Sequence, residues 1–411
     1  MKIMKIGSGQ LEIALFAIFI SFIIFSCTLN GASAITEWDG KMVTVYAPGD
    51  ELDLYTHGVA YPRIIEIQHN GKDNGALLVT MEESNKTRAA QGYPIFRSRD
   101  GGKNWEYVTE IREDKEYPPT WQPFLFELPG TLGLMPAGTL LLAACSADRA
   151  NHKTALRLYR SYDLGETWEM YTTIVTGGAA LDEGVLSTCV SEPFLLMLDD
   201  GRLVCYYSDS TDAENHSQEL SYRISANGVA WGQTVKICSF ENQVERPGMS
   251  IVTRLNDGRY IMIYEIINGI NGNLVAFKYS GDGLDWGDPS DRGHAIVTHD
   301  GEYLGSGPYI AYIPGIGKKG RIIARATYQS PPAPPGIGTY LYYNDNYGEG
   351  PWDKRDNPTP YYDTNHQGYS ACMFLSGDRK ILHMVCSVDN LNSDKNYSRV
   401  VYARLEEKAG W

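Results

Sequence analysis

A tight turn of the form Ser-x-Asp-x-Gly-x-x-Trp occurs twice in full, as Ser98-Arg99-Asp100-Gly101-Gly102-Lys103-Asn104-Trp105 and as Ser161-Tyr162-Asp163-Leu164-Gly165-Glu166-Thr167-Trp168. Versions one residue shorter run from Ser225 to Trp231 and from Ser280 to Trp286, and a degenerate copy spans Asn344 to Trp352. Successive starts lie about 55–64 residues apart, a period that marks an array of supersecondary units. The residue types explain themselves. Short Ser and Asp side chains bond to nearby amides and fix a turn. Glycine enters the left-handed region without a Cβ penalty, and Trp packs a large apolar face on the neighbouring unit. The turn is therefore structural, and no catalysis is assigned to it.

A second repeat keeps the same period. It is a hairpin, apolar strand then Gly-containing turn then apolar strand. Copies begin near Pro62, Gln122, Glu192, Pro247, Pro308 and Tyr369. Six units of about 63 residues, rich in short strands and poor in helical periodicity, predict an all-β fold: a six-bladed β-propeller of four-stranded antiparallel blades. The ring must close, and Met42-Val43-Thr44-Val45-Tyr46 is expected to complete the last blade beside Arg399-Val400-Val401-Tyr402-Ala403. The Pro-rich patch Pro331-Pro332-Ala333-Pro334-Pro335 reads as a rim loop.

Residues 1–34 stand apart from this pattern. Lys2 and Lys5 precede an apolar run from Leu11 to Phe25, followed by Ala32-Ser33-Ala34, the layout of an export signal. A second processing site, Ile24-Phe25-Ser26-Cys27, would instead leave a lipoprotein anchored through Cys27, although Phe25 is bulky for it. The expected mature chain is one propeller domain over 35–411, secreted and monomeric, with no membrane contact beyond that alternative lipid anchor. Cys145, Cys189, Cys205, Cys238, Cys372 and Cys386 fall in apolar runs without metal-ligand spacing, so they read as buried free thiols, and no metal or cofactor is expected. A net charge of −14 argues against nucleic acid and anionic membranes and is compatible with a neutral polysaccharide partner. Sequons begin at Asn85, Asn215 and Asn396.

In an antiparallel hairpin the start of the first strand and the end of the second lie at one end. In a propeller the first strand of each blade lines the channel, so these positions should converge on one mouth. Strand-one starts supply Arg63, Gln122, Glu192, Arg246 and Tyr369, and strand-two ends supply Glu82, Asp148, Asp209 and Glu265. Glu192 and Glu265 border apolar runs, where a carboxylate is costly unless paired, bonded or functional. Two such acids on adjacent blades suit glycoside hydrolysis, which uses a carboxylate pair. The competing structural reading is that the acids form ion pairs with Arg63 or Arg246. Tyr207, Tyr264 and Trp121 are possible sugar-facing aromatics, each also suited to blade packing.

The turn repeat resembles the Asp box of sialidase-like propellers. Ser191-Glu192-Pro193-Phe194-Leu195, Gly201 to Asp209, His216-Ser217-Gln218, Arg246-Pro247-Gly248-Met249 and Tyr264-Glu265 resemble glycoside hydrolase family 93, as do Tyr61-Pro62-Arg63-Ile64 and Gln122 to Pro129. The match is good over roughly residues 60–270. The resemblance implies a retaining exo-α-1,5-L-arabinanase that releases arabinobiose from the non-reducing end, with Glu265 as nucleophile and Glu192 as general acid/base. Arg63, Gln122, Asp148, Asp209, His216, Gln218, Arg246 and Tyr369 are the candidate substrate-binding residues. Near the last blade the resemblance leads one to expect Tyr-Ser-Arg, and this chain has Tyr369-Ser370-Ala371. Two other classes fit the same fold: a sialidase, which needs three arginines around a carboxylate, and a non-catalytic carbohydrate-binding propeller.

Overall fold

In the computed structural model, residues 42–85, 92–112, 116–180, 184–269, 272–327, 329–330, 338–361, 369–390 and 392–406 are described. The export segment, the Pro331–Pro335 loop and most of the Asn85 sequon lie outside them. The described chain forms six four-stranded antiparallel sheets in sequence order, with one additional two-stranded ribbon, Tyr303–Leu304 with Gln329–Ser330. This is the expected six-bladed propeller.

Blade 1 is Leu54–Glu66, Leu77–Asn85, Tyr93–Ser98 and Glu106–Ile111. Blade 2 is Pro119–Glu127, Leu140–Asp148, Lys153–Ser161 and Glu169–Gly177. Blade 3 is Val190–Met197, Leu203–Asp209, Glu219–Ser225 and Val235–Cys238. Blade 4 is Arg246–Arg254, Tyr260–Gly269, Gly272–Ser280 and His294–Ala295. Blade 5 is Tyr309–Ile313, Arg321–Arg325, Tyr340–Asn344 and Asp353–Asp356. Blade 6 is Cys372–Leu375, Ile381–Asp389 and Ser398–Glu406, completed by the N-terminal strand Val43–Tyr46. The closing register pairs Val43 with Tyr402 and Thr44 with Val401, as the sequence predicts.

The turn repeats join the third and fourth strands of blades 1 to 5. In the first, Gly102 N–H donates to Ser98 Oγ (2.9 Å), Asn104 N–H to Asp100 Oδ1 (2.9 Å), and Trp105 Nε1 to Gly102 O (3.1 Å). Gly102 has φ +87°, and a Cβ there would lie 2.0 Å from the Tyr402 ring, so glycine is required for blade 1 to pack on blade 6. The degenerate turn substitutes Asn344, whose Oδ1 accepts from the amides of Asn346 and Gly348 (both 2.8 Å). Apolar side chains between blades form one large core, with Trp105, Trp286 and Trp352 buried in it, and two smaller clusters beside it. Among the described residues, Cys145, Cys189, Cys205, Cys238, Cys372 and Cys386 are buried free thiols.

The first strands of all six blades line an axial cavity of about 330 Å3, walled by Phe124, Phe194, Ile251, Tyr309 and Cys372. Arg63 is the only arginine or lysine among the described residues that line it.

Candidate active site

At the mouth of this cavity each first strand is broken at one point. Tyr61, Gln122, Glu192, Met249, Gly307 and Ser370, one per blade, have φ between 49° and 62°. In blades 1 to 4 this residue and the next together face a single residue of the second strand, which is a β-bulge. Proline follows in four of the six (Pro62, Pro123, Pro193, Pro308), where the bulge removes the ladder partner and a missing N–H costs nothing. A left-handed backbone at a non-glycine residue costs about 1–3 kcal/mol and persists where the surroundings over-determine it. Here the return is a ring of backbone amides re-aimed along the mouth.

Those amides link each blade to the one before it. Gln122 N–H donates to Glu82 Oε2 (3.0 Å), Glu192 N–H to Gln122 Oε1 (3.0 Å), Met249 N–H to Glu192 Oε2 (3.0 Å), and Gly307 N–H to Glu265 Oε2 (2.7 Å). Two hydroxyls complete the carboxylate shells: Ser208 Oγ donates to Glu192 Oε2 (2.5 Å) and Ser306 Oγ to Glu265 Oε2 (2.6 Å). Both glutamates are buried, at 9% and 6% exposure. They face one site. Gly248 is the ladder partner of Glu265, and a Cβ on it would lie 3.1 Å from Glu192 Oε2 and 2.5 Å from Gln218 Nε2.

The site's electrostatics follow from burial beside like charge. Burial raises the Glu265 carboxyl, the charge of Glu192 raises it further, and the Ser306 and Gly307 donors only partly offset this, leaving it at about 7. Burial also holds the Glu192 carboxyl above its ordinary value, and Ser208, Arg246, the Met249 amide and Arg63 only partly offset it. Burial lifts Glu82 to about 7, against the Gln122 amide and Arg63.

Of the expected site residues, Glu192, Glu265, Gln122, Gln218, Arg246 and Tyr369 are brought together. Arg246 Nη2 donates to Gln218 Oε1 (2.8 Å), and Gln218 Nε2 donates to Pro247 O (2.8 Å). The Tyr369 hydroxyl feels the charges of Glu192, Glu265 and Glu82. Arg63 is placed differently from expectation. It is 2% exposed, its Nη atoms donate to Pro62 O, Ser370 O and Ser370 Oγ, and it lies 3.9 Å over the Tyr61 ring. It braces blade 1 against blade 6 and pairs with neither glutamate directly.

Asp209 lies one residue beyond Ser208, on the opposite face of its strand, and accepts from the Thr211 amide and hydroxyl (2.9 and 2.6 Å). Asp148 lies three residues beyond Cys145, which holds the ring position in blade 2, and it accepts from Asn151 Nδ2 (2.6 Å). Both acids fix local turns. His216 Nδ1 bonds Phe240 O (2.8 Å), away from the glutamates. Asp212, His216 and Glu219 gather three possible ligand atoms, but Lys236 Nζ sits 2.8 Å from Glu219 and 3.6 Å from Asp212 and supplies the positive charge there. Tyr207 and Tyr264 point into the sheets, toward Thr234 Oγ1 (2.9 Å) and Arg292 O (2.7 Å). Trp121 is half-buried under Arg149 (4.8 Å). Ala371 packs into a small core with Tyr361, Cys386 and Val401, so blade 6 presents no arginine at the expected place.

Sequence reasoning missed Ser208, Ser306 and the bulge amides. The Pro at a fixed hairpin position was the available signal. Pro308 marked Gly307 in this way, while Ser306 and Met249 carried no such signal.

A model of the BNR repeat-like domain matches residues 75–298. No curated protein sequence matches the chain. Among solved structures, the alpha-L-arabinanase of Penicillium chrysogenum complexed with arabinobiose is 29% identical, with a TM-score of 0.77 over 90% of this chain and 98% of that one. The GH93 alpha-L-arabinofuranosidase of Fusarium graminearum with arabinobiose is 27% identical, with a TM-score of 0.73 over 87% and 96%. The NanB sialidase of Streptococcus pneumoniae, at 13% identity and a TM-score of 0.54, shares the fold alone. With the domain model covering more than half its length, the chain belongs to the BNR repeat-like domain family, and along nearly its whole length it is similar to these two glycosidases.

Proposed function

We propose that this protein is a retaining exo-glycoside hydrolase that cleaves α-1,5-linked L-arabinan and releases arabinobiose from the non-reducing end. The observation that carries the hydrolase reading is the pair of buried carboxylates, Glu192 and Glu265, held by bulge amides of successive blades at one channel mouth. The substrate class rests on the full-length likeness to a P. chrysogenum arabinanase and an F. graminearum arabinofuranosidase, both complexed with arabinobiose.

Two carboxylates divide the chemistry by charge state. Burial raises both carboxyls, and Arg246 acts on both. The resemblance to family 93 assigns Glu265 as nucleophile and Glu192 as general acid/base. Glu265 attacks the anomeric carbon while Glu192 protonates the departing glycosidic oxygen, forming a glycosyl-enzyme ester. Glu192, now a carboxylate, takes a proton from water. The resulting hydroxide equivalent attacks the anomeric carbon and releases Glu265, with net retention. No metal or cofactor enters any step.

Product analysis on linear α-1,5-arabinan beside a sialoside tests the function. Arabinobiose as first product supports it; sialic acid release, or no turnover of either, rejects it. Glu192→Gln and Glu265→Gln should each lower kcat by about 10²–10⁴-fold on arabinan. The order of roles has its own test. With an aryl arabinobioside whose phenol leaves without a proton, Glu192→Gln should recover most of the bond-cleavage rate and Glu265→Gln should not. The opposite pattern reverses the roles. Engagement of the Arg63 donors argues against a sialic acid carboxylate clamp.

The same reading places the protein outside the cell as a monomer of one domain, after cleavage of residues 1–34, in keeping with a polysaccharide substrate. Mass spectrometry of the processed N-terminus distinguishes this from lipidation at Cys27.

A further inference from the structure

The retaining mechanism uses two carboxylates, and the mouth holds a third. Glu82 occupies the same ring position as Glu265. Each is the second-strand partner of the residue just before a bulge, Ala60 for Glu82 and Gly248 for Glu265. Each receives the bulge amide of the next blade, Gln122 N–H for Glu82 (3.0 Å) and Gly307 N–H for Glu265 (2.7 Å). The pattern that orients one reacting carboxylate therefore orients Glu82 as well.

Glu82 differs from the reacting pair in its shell. Glu192 and Glu265 each receive an amide and a hydroxyl on Oε2, whereas Glu82 receives only the Gln122 amide and is half-buried at the mouth. Its Oε2 is held by Gln122, and among the described residues Oε1 has no hydrogen-bond partner. It is also tied to the reacting centre. Gln122 takes the Glu82 bond through its backbone N–H and, through its side-chain Oε1, accepts the amide of Glu192 (3.0 Å). Arg63 lies near enough to act on Glu82 and Glu192 alike. A carboxylate kept this close to another acid is costly unless something repays it. Bonding one backbone amide would need only a neutral acceptor.

We infer that Glu82 is a substrate-contacting, specificity-determining residue: its open oxygen accepts a hydroxyl of the sugar seated against Glu192 and fixes that ring's rotation in the mouth. The ligand chemistry is a neutral sugar hydroxyl donor, and the inference rests on the arabinan reading. A carboxylate is the strong acceptor for such a hydroxyl, and a site built to bond a substrate OH rejects analogues that lack it.

The test combines variants with ligands. Arabinobiose binding is measured by calorimetry, and kcat and KM on α-1,5-arabinotriose, for the wild type, Glu82→Ala and Glu82→Gln, with melting temperature as the control for folding. Glu82→Ala should weaken arabinobiose binding and raise KM by about 10- to 100-fold, and Glu82→Gln should restore part of this, because its amide oxygen can still accept. Monodeoxy arabinobioses then identify the partner. One deoxy position should cost the wild type about tenfold or more and cost Glu82→Ala nothing further. A lower melting temperature with unchanged Kd and KM, or equal discrimination among deoxy ligands by wild type and Glu82→Ala, overturns the inference and leaves Glu82 a brace for the Gln122 bulge. Failure of the wild type to bind arabinobiose or cleave arabinotriose rejects the arabinan reading, and this inference with it.

Discussion

Glu265 shows how function and stability oppose each other in one side chain. Its carboxyl is raised from an ordinary 4.5 to about 7 by burial and by Glu192. A folded-state pKa above the unfolded one means that folding favours the neutral form. That contribution is complete below pH 4.5 and is lost as pH rises through about 7. The protein should therefore lose stability from pH 5 to pH 8 in part through this residue. Glu265→Gln, which cannot ionise, should be more stable than the wild type by about 1–3 kcal/mol at pH 8 and nearly equal at pH 4.5. Thermal melts of both proteins across that range check this; a gain that persists at pH 4.5 contradicts it. The proposed nucleophile must be ionised to react, so the same proton sets an acid limb, and kcat/KM should fall below about pH 7 as Glu265 takes it up. Gly248 makes the complementary point about space. Any Cβ there meets Gln218 and Glu192, so Gly248→Ala should cut kcat/KM about 10- to 100-fold with little change in melting temperature, as expected for small displacements of reacting groups.

At the scale of the element, one propeller blade separates its two jobs between its two ends. The turn between third and fourth strands is a closed set of local bonds. Asp163 accepts from Ser161 Oγ (2.8 Å), Thr167 N–H (2.9 Å) and Thr167 Oγ1 (2.6 Å), while Trp168 Nε1 donates to Gly165 O (3.0 Å). Asp163→Ala should cost about 1–3 kcal/mol of stability, read by denaturant unfolding, and leave kcat and KM on arabinan unchanged. The bulge at the start of the first strand does the opposite. It holds a left-handed residue and breaks the ladder, but it turns a backbone donor toward the neighbouring blade. In four blades proline follows, so the position that lacks a ladder partner also lacks an N–H.

For the whole molecule, the decisive contact is the one that joins the ends of the chain. Val43–Tyr46 covers the free edge of Ser398–Glu406, and Tyr46 Oη donates to Glu83 Oε2 (2.6 Å), tying the closing strand to blade 1. Arg399 Nη1 donates to Thr44 Oγ1 (2.6 Å) across the same seam. A chain beginning after Tyr46 should leave that edge unpaired, aggregate, and melt about 10 °C or more below a chain beginning at Met42. Comparison of the two by scanning fluorimetry and light scattering tests this. Closure also holds the site together, because Arg63 of blade 1 bonds Ser370 of blade 6 beside the mouth.

The sequence by itself determined the six blades, their closure and the two central glutamates. Turn chemistry and strand alternation are local and periodic, so Ser161-x-Asp163 or the Glu192–Leu198 run can be read without knowing what lies opposite. Glu192 and Glu265 stood out because a carboxylate bordering an apolar run is conspicuous in one dimension. Only the tertiary structure decided which polar groups meet them. Asp209 and Ser208 are adjacent in the chain, yet the pleat sends one to a turn and the other to Glu192. Arg63 stood out as a cation beside the site and is seen bonding Ser370 across the closing seam, and Glu82 was one acid among several until the register aligned it with Glu265. The physical reason is that a bulge shifts register by one residue, and the donor each bulge exposes serves a different blade. The acceptor then lies 40 to 70 residues away in the chain, a separation that no local pattern records.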